Sequence, residues 1–273
     1  MGLSPVRTAL QVGSIDQALK NKLWNAFIED FFVQHSDLSL KGKDSNRASV
    51  CKYIWKHFFE NRIDLIPSYG NGVVMCHMVL DHIQNSFFNA QWFEIYDFVE
   101  FIAGSFHLKS FINKCNIVLE QDMAGYRIVN DIIAQITSEE EISTIEQALD
   151  STDAIKAVNV HLATALGFLS DRQTPDYRNS IKESISAVEA LCRIAVSDDK
   201  ATFGKAIAII ERQYSLHPTL KEAYSKIYGY TSDADGIRHA MLEDGLPIEF
   251  EDAKFMLVSC SAFINYLKVK LKL

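Results

Sequence analysis

The chain has 273 residues, 48% of them hydrophobic and 23% charged, with a net charge of −8. That length and balance support a buried core, as one large domain or two modest ones, and exclude global disorder. With 12 Gly and 5 Pro it has the profile of a mostly helical protein, since helix interiors exclude both residues; the acidic excess makes indiscriminate gripping of DNA phosphates a poor reading.

In chain order, Leu19, Leu23, Phe27 and Phe31 recur every four positions and predict a helix over 15–34, with Ser14 as its N-cap. A polar loop over 35–47 follows. Residues 48–61 read as an aromatic-rich second helix with Tyr53, Ile54, Trp55, Phe58 and Phe59. Pro67, Gly70 and Gly72 mark a turn. Third, fourth and fifth helices are expected over 73–88, 91–106 and 109–123. The aromatic stripes of this region suit core packing better than base stacking. Residues 126–136 are short and β-branched, with Asn130-Asp131 between the two runs, which predicts a small hairpin. Thr137 with Glu140 three residues on has the form of a capping box.

The remainder is helical again. Helices are expected over 153–169 and 177–196, the latter with Ile181, Ile185, Val188, Cys192 and Ala195 stepping by 4, 3, 4 and 3. A helix over 203–213 ends before His217-Pro218. Pro218 opens another, to about Tyr228, followed by a polar turn over 229–236 and a short helix over 237–243. The last helix, 251–270, is apolar on most sides and belongs in the middle of a bundle. The division expected is an N-terminal helical domain over 1–123, a connecting segment with the hairpin over 124–145, and a helical bundle over 146–273. The acidic excess falls in residues 1–175, with 14 basic and 21 acidic, against 13 and 14 in 176–273.

Five cysteines, no two closer than 25 positions, give neither a zinc pattern nor a disulfide framework, and point to thiols in a reducing compartment. The apolar stretch over 255–267 is too short to span a bilayer. Residues 1–7 lack the order of a signal peptide. Val6 stands where a myristoylation signal wants Ser or Thr. The expectation is a cytoplasmic protein with no membrane contact. Cys76, His77 and His82 lack further ligands for a metal, and there is no glycine-rich phosphate loop, nucleophile elbow or paired zinc-binding His motif. No cofactor and no metal are expected.

Several strings resemble a known family. Residues 14–25, SIDQALKNKLWN, and 92–101, WFEIYDFVEF, resemble the AbiJ N-terminal domain 4 family, found among abortive-infection (phage-defence) proteins of bacteria. Residues 175–189, PDYRNSIKESISAVE, 228–233, YGYTSD, and 236–240, GIRHA, resemble the C-terminal half that accompanies that domain, which is similar to the HEPN class of four-to-five-helix bundles. The resemblance implies an all-α protein of two helical modules joined by the hairpin segment. It also implies a site. Many HEPN proteins are metal-independent RNases with an Arg, four to six residues, and a His on one helix, completed by dimerisation. RNA supplies its own nucleophile, the 2′-OH; a His exchanges the proton and an Arg steadies charge on phosphate.

This sequence departs from that spacing. Arg238 and His239 are adjacent, so on a continuous helix they point about 100° apart; a helix starting there, after Asp235 and Gly236, would let them converge. Arg212 and His217 have the literal spacing but run into Pro218. Arg178-Asn179 copies the first half of the motif with no His at the right distance. The catalytic candidates are therefore His239 as acid/base and Arg238 as phosphate holder, supported by Glu183, Glu189, Asp235, Arg178 and Asn179. The bland reading has Arg238 and His239 tying a helix start to Glu189 or Asp235, and Glu183 and Glu189 on a solvated face with an ion pair. On the first view the protein is an antiphage RNase whose N-terminal module receives a phage-derived trigger or host partner, and it is a dimer. The alternative is a non-enzymatic helical interaction or sensor protein acting through a partner.

Overall fold

The structure, a computed structural model, describes residues 11–35, 45–150, 155–232 and 248–273. It is all-α apart from one small hairpin, with two compact units, 1–135 and 136–273. The short helix expected over 237–243 lies outside the described residues.

The first unit holds α1 (Gln17–Ala26), α2 (Asn46–His57), α3 (Cys76–Asn89), α4 (Trp92–Phe106) and α5 (Lys109–Gln121). The cap of α1 is Asp16, not Ser14: its carboxylate accepts from Leu19 N at 2.9 Å. The helix does not run on to 34 as one α-helix. At Phe27–Phe31 it widens into a π turn, and Phe32 N bonds Phe27 O as well as Ile28 O. The extra residue rephases the helix, so that Phe27, Phe31 and Phe32 are all buried. Phe27 meets Phe98 of α4 edge-on at 5.0 Å, Trp24 meets Phe87 of α3 at 5.5 Å, and Phe31 meets Phe106 at 4.8 Å. The aromatic stripes thus make the core, with tilted and edge contacts that add to their area burial.

The hairpin pairs β1 (Arg127–Val129) with β2 (Ile132–Ala134), Ile128 opposite Ile133. Asn130 and Asp131 both have positive φ, 47° and 65°, as a two-residue type I′ turn requires. Asn116 of α5 covers β1: its Oδ1 accepts from Ile128 N at 2.7 Å and its Nδ2 donates to Ile128 O at 2.9 Å, so a side-chain amide occupies the place of a strand partner. Glu100 of α4 accepts from Ile133 N at 2.7 Å. Gly125 sits against residues 11–12; a Cβ there would lie 2.5 Å from Val12 Cγ2.

The second unit holds α6 (Glu139–Leu149), α7 (Lys156–Ser170), α8 (Tyr177–Val196), α9 (Phe203–Tyr214), α10 (Pro218–Ser232) and α11 (Phe250–Leu271). The cap of α6 is Ser138 rather than Thr137; its Oγ accepts from Glu141 N. α10 continues through Gly229 to Ser232, where a turn was expected. A lone glycine costs a helix about 1 kcal/mol, which the burial of Thr231 and its bond to Tyr228 O offset. α11 packs on α6, α7 and α8. Lys268 of α11 donates to Gln147 O, Ala148 O and Asp150 O at the end of α6, at 2.9, 3.3 and 2.6 Å, a cation on the carbonyls that a helix end leaves unpaired. Among the described residues no helix is long and apolar enough to cross a membrane.

Candidate functional site

α7 and α8 define the site. Pro175 precedes Asp176, whose Oδ1 accepts from Asn179 N at 2.9 Å and whose Oδ2 accepts from Asn179 Nδ2 at 2.6 Å. This cap starts α8 where the sequence places it. Asp176 N bonds Phe168 O and Ser180 Oγ bonds Ala165 O at 2.8 Å. Falling numbers on α7 thus meet rising numbers on α8, and the two helices are antiparallel. Ser180, Ser184 and Ala187 are fully buried; their small size lets the backbones approach.

One turn beyond Ser180 that approach brings His161 of α7 to Glu183 of α8. Their Nδ1 and Oε2 lie 2.6 Å apart, with the side chains 36% and 28% exposed. A carboxylate on Nδ1 fixes the ring and leaves Nε2 as the nitrogen for proton exchange. His161 was not found from the sequence. Its partner is 22 residues away on another helix, and no local motif spans that gap.

The other candidates scatter. Glu189 is buried and pairs with Arg193 one turn on, at 3.7 Å. Six positions on a helix amount to a rotation of about 240°, so Glu189 faces elsewhere than Glu183. Burial, then the charge of Glu189, pushes the Cys192 thiol up to about 12. Arg178 and Asn179 sit half-buried in the first turn of α8, Asn179 engaged by Asp176. Asp235, Arg238 and His239 lie outside the described residues. Of the two described ends of the segment that carries them, the start of α11 meets the start of α8, while the end of α10 stacks on the start of α9 through Tyr228 and Phe203, ring centroids 4.5 Å apart. Tyr177 contacts Phe250 at the start of α11, with ring centroids 6.1 Å apart. Burial and then Glu251 push its hydroxyl up, and burial and then Asp252 do the same for Tyr230 at the end of α10. The turn before α8 is fixed by Asp171, which accepts from Gln173 N and Thr174 N and is held below the usual carboxylate range by those bonds.

Arg212 lies in the last turn of α9, and Ser215 ends that helix in the left-handed region; His217 caps α10 through Thr219 N. Arg212 and His217 are thus on different elements. Cys76 and His77 line one cavity, while His82 packs against Trp55 and Phe59. Among the described residues no three His, Cys, Asp or Glu side chains gather as a metal ion requires. None of the five cysteines is in a disulfide. Burial alone pushes Cys260 up to about 12, so it is a protonated core residue at neutral pH.

These features define a helical protein of two units with one small hairpin, the second unit with a polar end at the start of α8. The family model described as AbiJ N-terminal domain 4 matches residues 1–151. The chain belongs to that family, and membership suggests abortive infection, a phage-defence response. No curated protein and no solved structure matches it.

Proposed function

We propose that the protein is a phage-defence effector whose C-terminal unit is a HEPN-like bundle that cuts RNA without a metal. His239 exchanges a proton with the 2′-OH or the leaving oxygen, and Arg238 steadies the phosphate. Arg178 and Asn179, in the first turn of α8, support them. The observation that supports this reading is the contact of Phe250, at the start of α11, with Tyr177, at the start of α8, since the segment between α10 and α11 carries Arg238 and His239. His161, held by Glu183 about 9 Å along α8 from its first residue (1.5 Å per residue), is a second imidazole for the acid and base steps. Two copies complete the site, and the N-terminal unit receives the trigger.

The test is cleavage of total RNA and tRNA by the purified full chain, with lysate of infected cells supplied as the trigger. Wild type is expected to cut and to run as a dimer in light scattering. His239→Ala is expected to lose about 100-fold or more in rate, the usual scale of acid–base catalysis. His161→Ala is expected to lose less and to shift the pH profile. If wild type and His239→Ala are equally inert, the nuclease reading fails and the interaction protein remains.

A further inference from the structure

α11 has two apolar faces. One is packed: Met256, Leu257, Cys260, Phe263, Ile264 and Leu267 are buried in the bundle. The other consists of Phe255, Val258, Ala262, Tyr266 and Val269. On this second face Phe255 is 60% and Val269 81% exposed. Ala262 is exposed, and Val258 and Tyr266 are half-buried. A helix on the outside of a monomer ordinarily turns polar residues to water. An apolar stripe running about 21 Å (fourteen residues of helix rise) instead marks a contact surface.

The stripe reads the same in both directions. Its steps are 3, 4, 4 and 3, with the smallest side chain, Ala262, in the middle. Two copies of α11 laid antiparallel about a two-fold axis at Ala262 therefore match in register. Phe255 of one copy falls on Val269 of the other, Val258 on Tyr266, and Ala262 on itself, where its size lets the backbones approach. The ends of the helix carry opposite charge. Asp252 is engaged in the cap, accepting from Glu249 N at 3.0 Å, Lys254 pairs with Glu141 at 3.1 Å, and Lys268 holds the carbonyls of α6. Glu251 at the start, and Lys270 and Lys272 at the end, are exposed. Lys270 borders the stripe, with Nζ 5.9 Å from the centroid of the Tyr266 ring. Antiparallel pairing sets each Glu251 beside the other copy's lysines and opposes the two helix dipoles. Parallel pairing would set like charges together. A two-fold contact demands self-complementarity of this kind, whereas a foreign partner places no such demand on the pattern.

We infer that this face of α11 binds a second copy of the chain, the two helices antiparallel about a two-fold axis at Ala262. The pairing brings the second copy's Lys270 and Lys272 to the start of α11, the end at which Phe250 meets Tyr177. It does not rest on RNA cleavage. An inert dimer would sink the nuclease and keep the pairing, and a monomer that cuts RNA would do the reverse.

The test is sedimentation of the full-length protein at low salt. One helix pair makes an interface at the small end of the stable range, so wild type is expected to be dimeric at about 100 μM and to dissociate on dilution. Ala262→Glu sets two carboxylates against each other on the axis. It is expected to be monomeric throughout, with unchanged far-UV circular dichroism. Glu251→Lys is expected to weaken the dimer about threefold or more, the scale of two symmetric surface ion pairs. Adding Lys270→Glu and Lys272→Glu to it should restore the dimer. At an interaxial distance of about 8–10 Å a residue on the axis is within disulfide reach of its own copy. Ala262→Cys is therefore expected to cross-link under mild oxidation, and Glu222→Cys, exposed on α10, is not. A wild type that is monomeric at about 100 μM overturns the inference. So does a dimer that survives Ala262→Glu, one indifferent to Glu251→Lys, or an Ala262→Cys chain that does not cross-link. If Ala262→Glu unfolds the second unit, the face is covered from within the chain and the inference also fails.

Discussion

The two units are both helical, yet they fill their interiors differently. In the first, large rings meet large rings: Trp24, Phe27, Phe31, Phe87, Phe98 and Phe106 touch across α1, α3 and α4. In the second, α8 meets α7 at Ser180, whose Oγ bonds Ala165 O, and keeps the small Ser184 and Ala187 fully buried. Phe58, Phe59, Phe87 and Phe98 line a cavity beside α4. Close helix contact instead brings polar side chains from neighbouring helices within bonding distance, as with His161 and Glu183. The second architecture suits fixed polar geometry.

That contrast predicts opposite sensitivities. Removing volume should hurt the first unit most: Phe27→Ala is expected to cost about 3–5 kcal/mol, read as lost amide-exchange protection in α1 and α4. Adding volume should hurt the second: Ser180→Val is expected to cost about 1–3 kcal/mol through overpacking. A tolerated Ser180→Val would break the comparison. Gly125→Ala is the exception in the first unit, because Val12 Cγ2 stands 2.5 Å from the added carbon; the same range of about 1–3 kcal/mol is expected, in denaturant melts of the full chain.

Smaller effects sharpen the picture. Lys268→Met should cost about 1 kcal/mol by stripping the carbonyls at the end of α6 of their cation, seen as faster exchange in the last turn of α6. Asp171→Ala should cost about half a kcal/mol or less, since the group is exposed and screened. Its folded pKa is depressed, so its contribution is present above the ordinary value of 3.8 and is lost as pH falls through the lower folded value. The gap between wild type and Asp171→Ala should therefore close in acid melts.

What the sequence disclosed follows locality. The span of α8 was legible because Pro175, an Asp cap and an unbroken apolar period coincide there. The hairpin was legible because Asn130 and Asp131 tolerate positive φ. The π turn at Phe27–Phe31 was not, because an apolar run of Phe, Ile, Phe and Phe fits either pitch and packing chooses. Ser138 displaced Thr137 because two adjacent hydroxyl residues offer the same cap. Gly229 stayed helical because one glycine is a weak breaker. The His161–Glu183 pair was hidden because only the register of α7 against α8 creates it.

The stretch matched to the family runs to residue 151, but α6 within it folds with α11. Ile142, Ile145 and Ala148 are buried in that arrangement, and Lys268 holds the end of the helix. The hereditary unit and the folding unit are thus out of step by one helix. A shuffled gene that joined this family segment to a foreign C-terminal half would inherit α6 without its mate, leaving an apolar stripe seeking cover. Successful fusions should either preserve a matching final helix or break the chain near residue 135, ahead of that obligation.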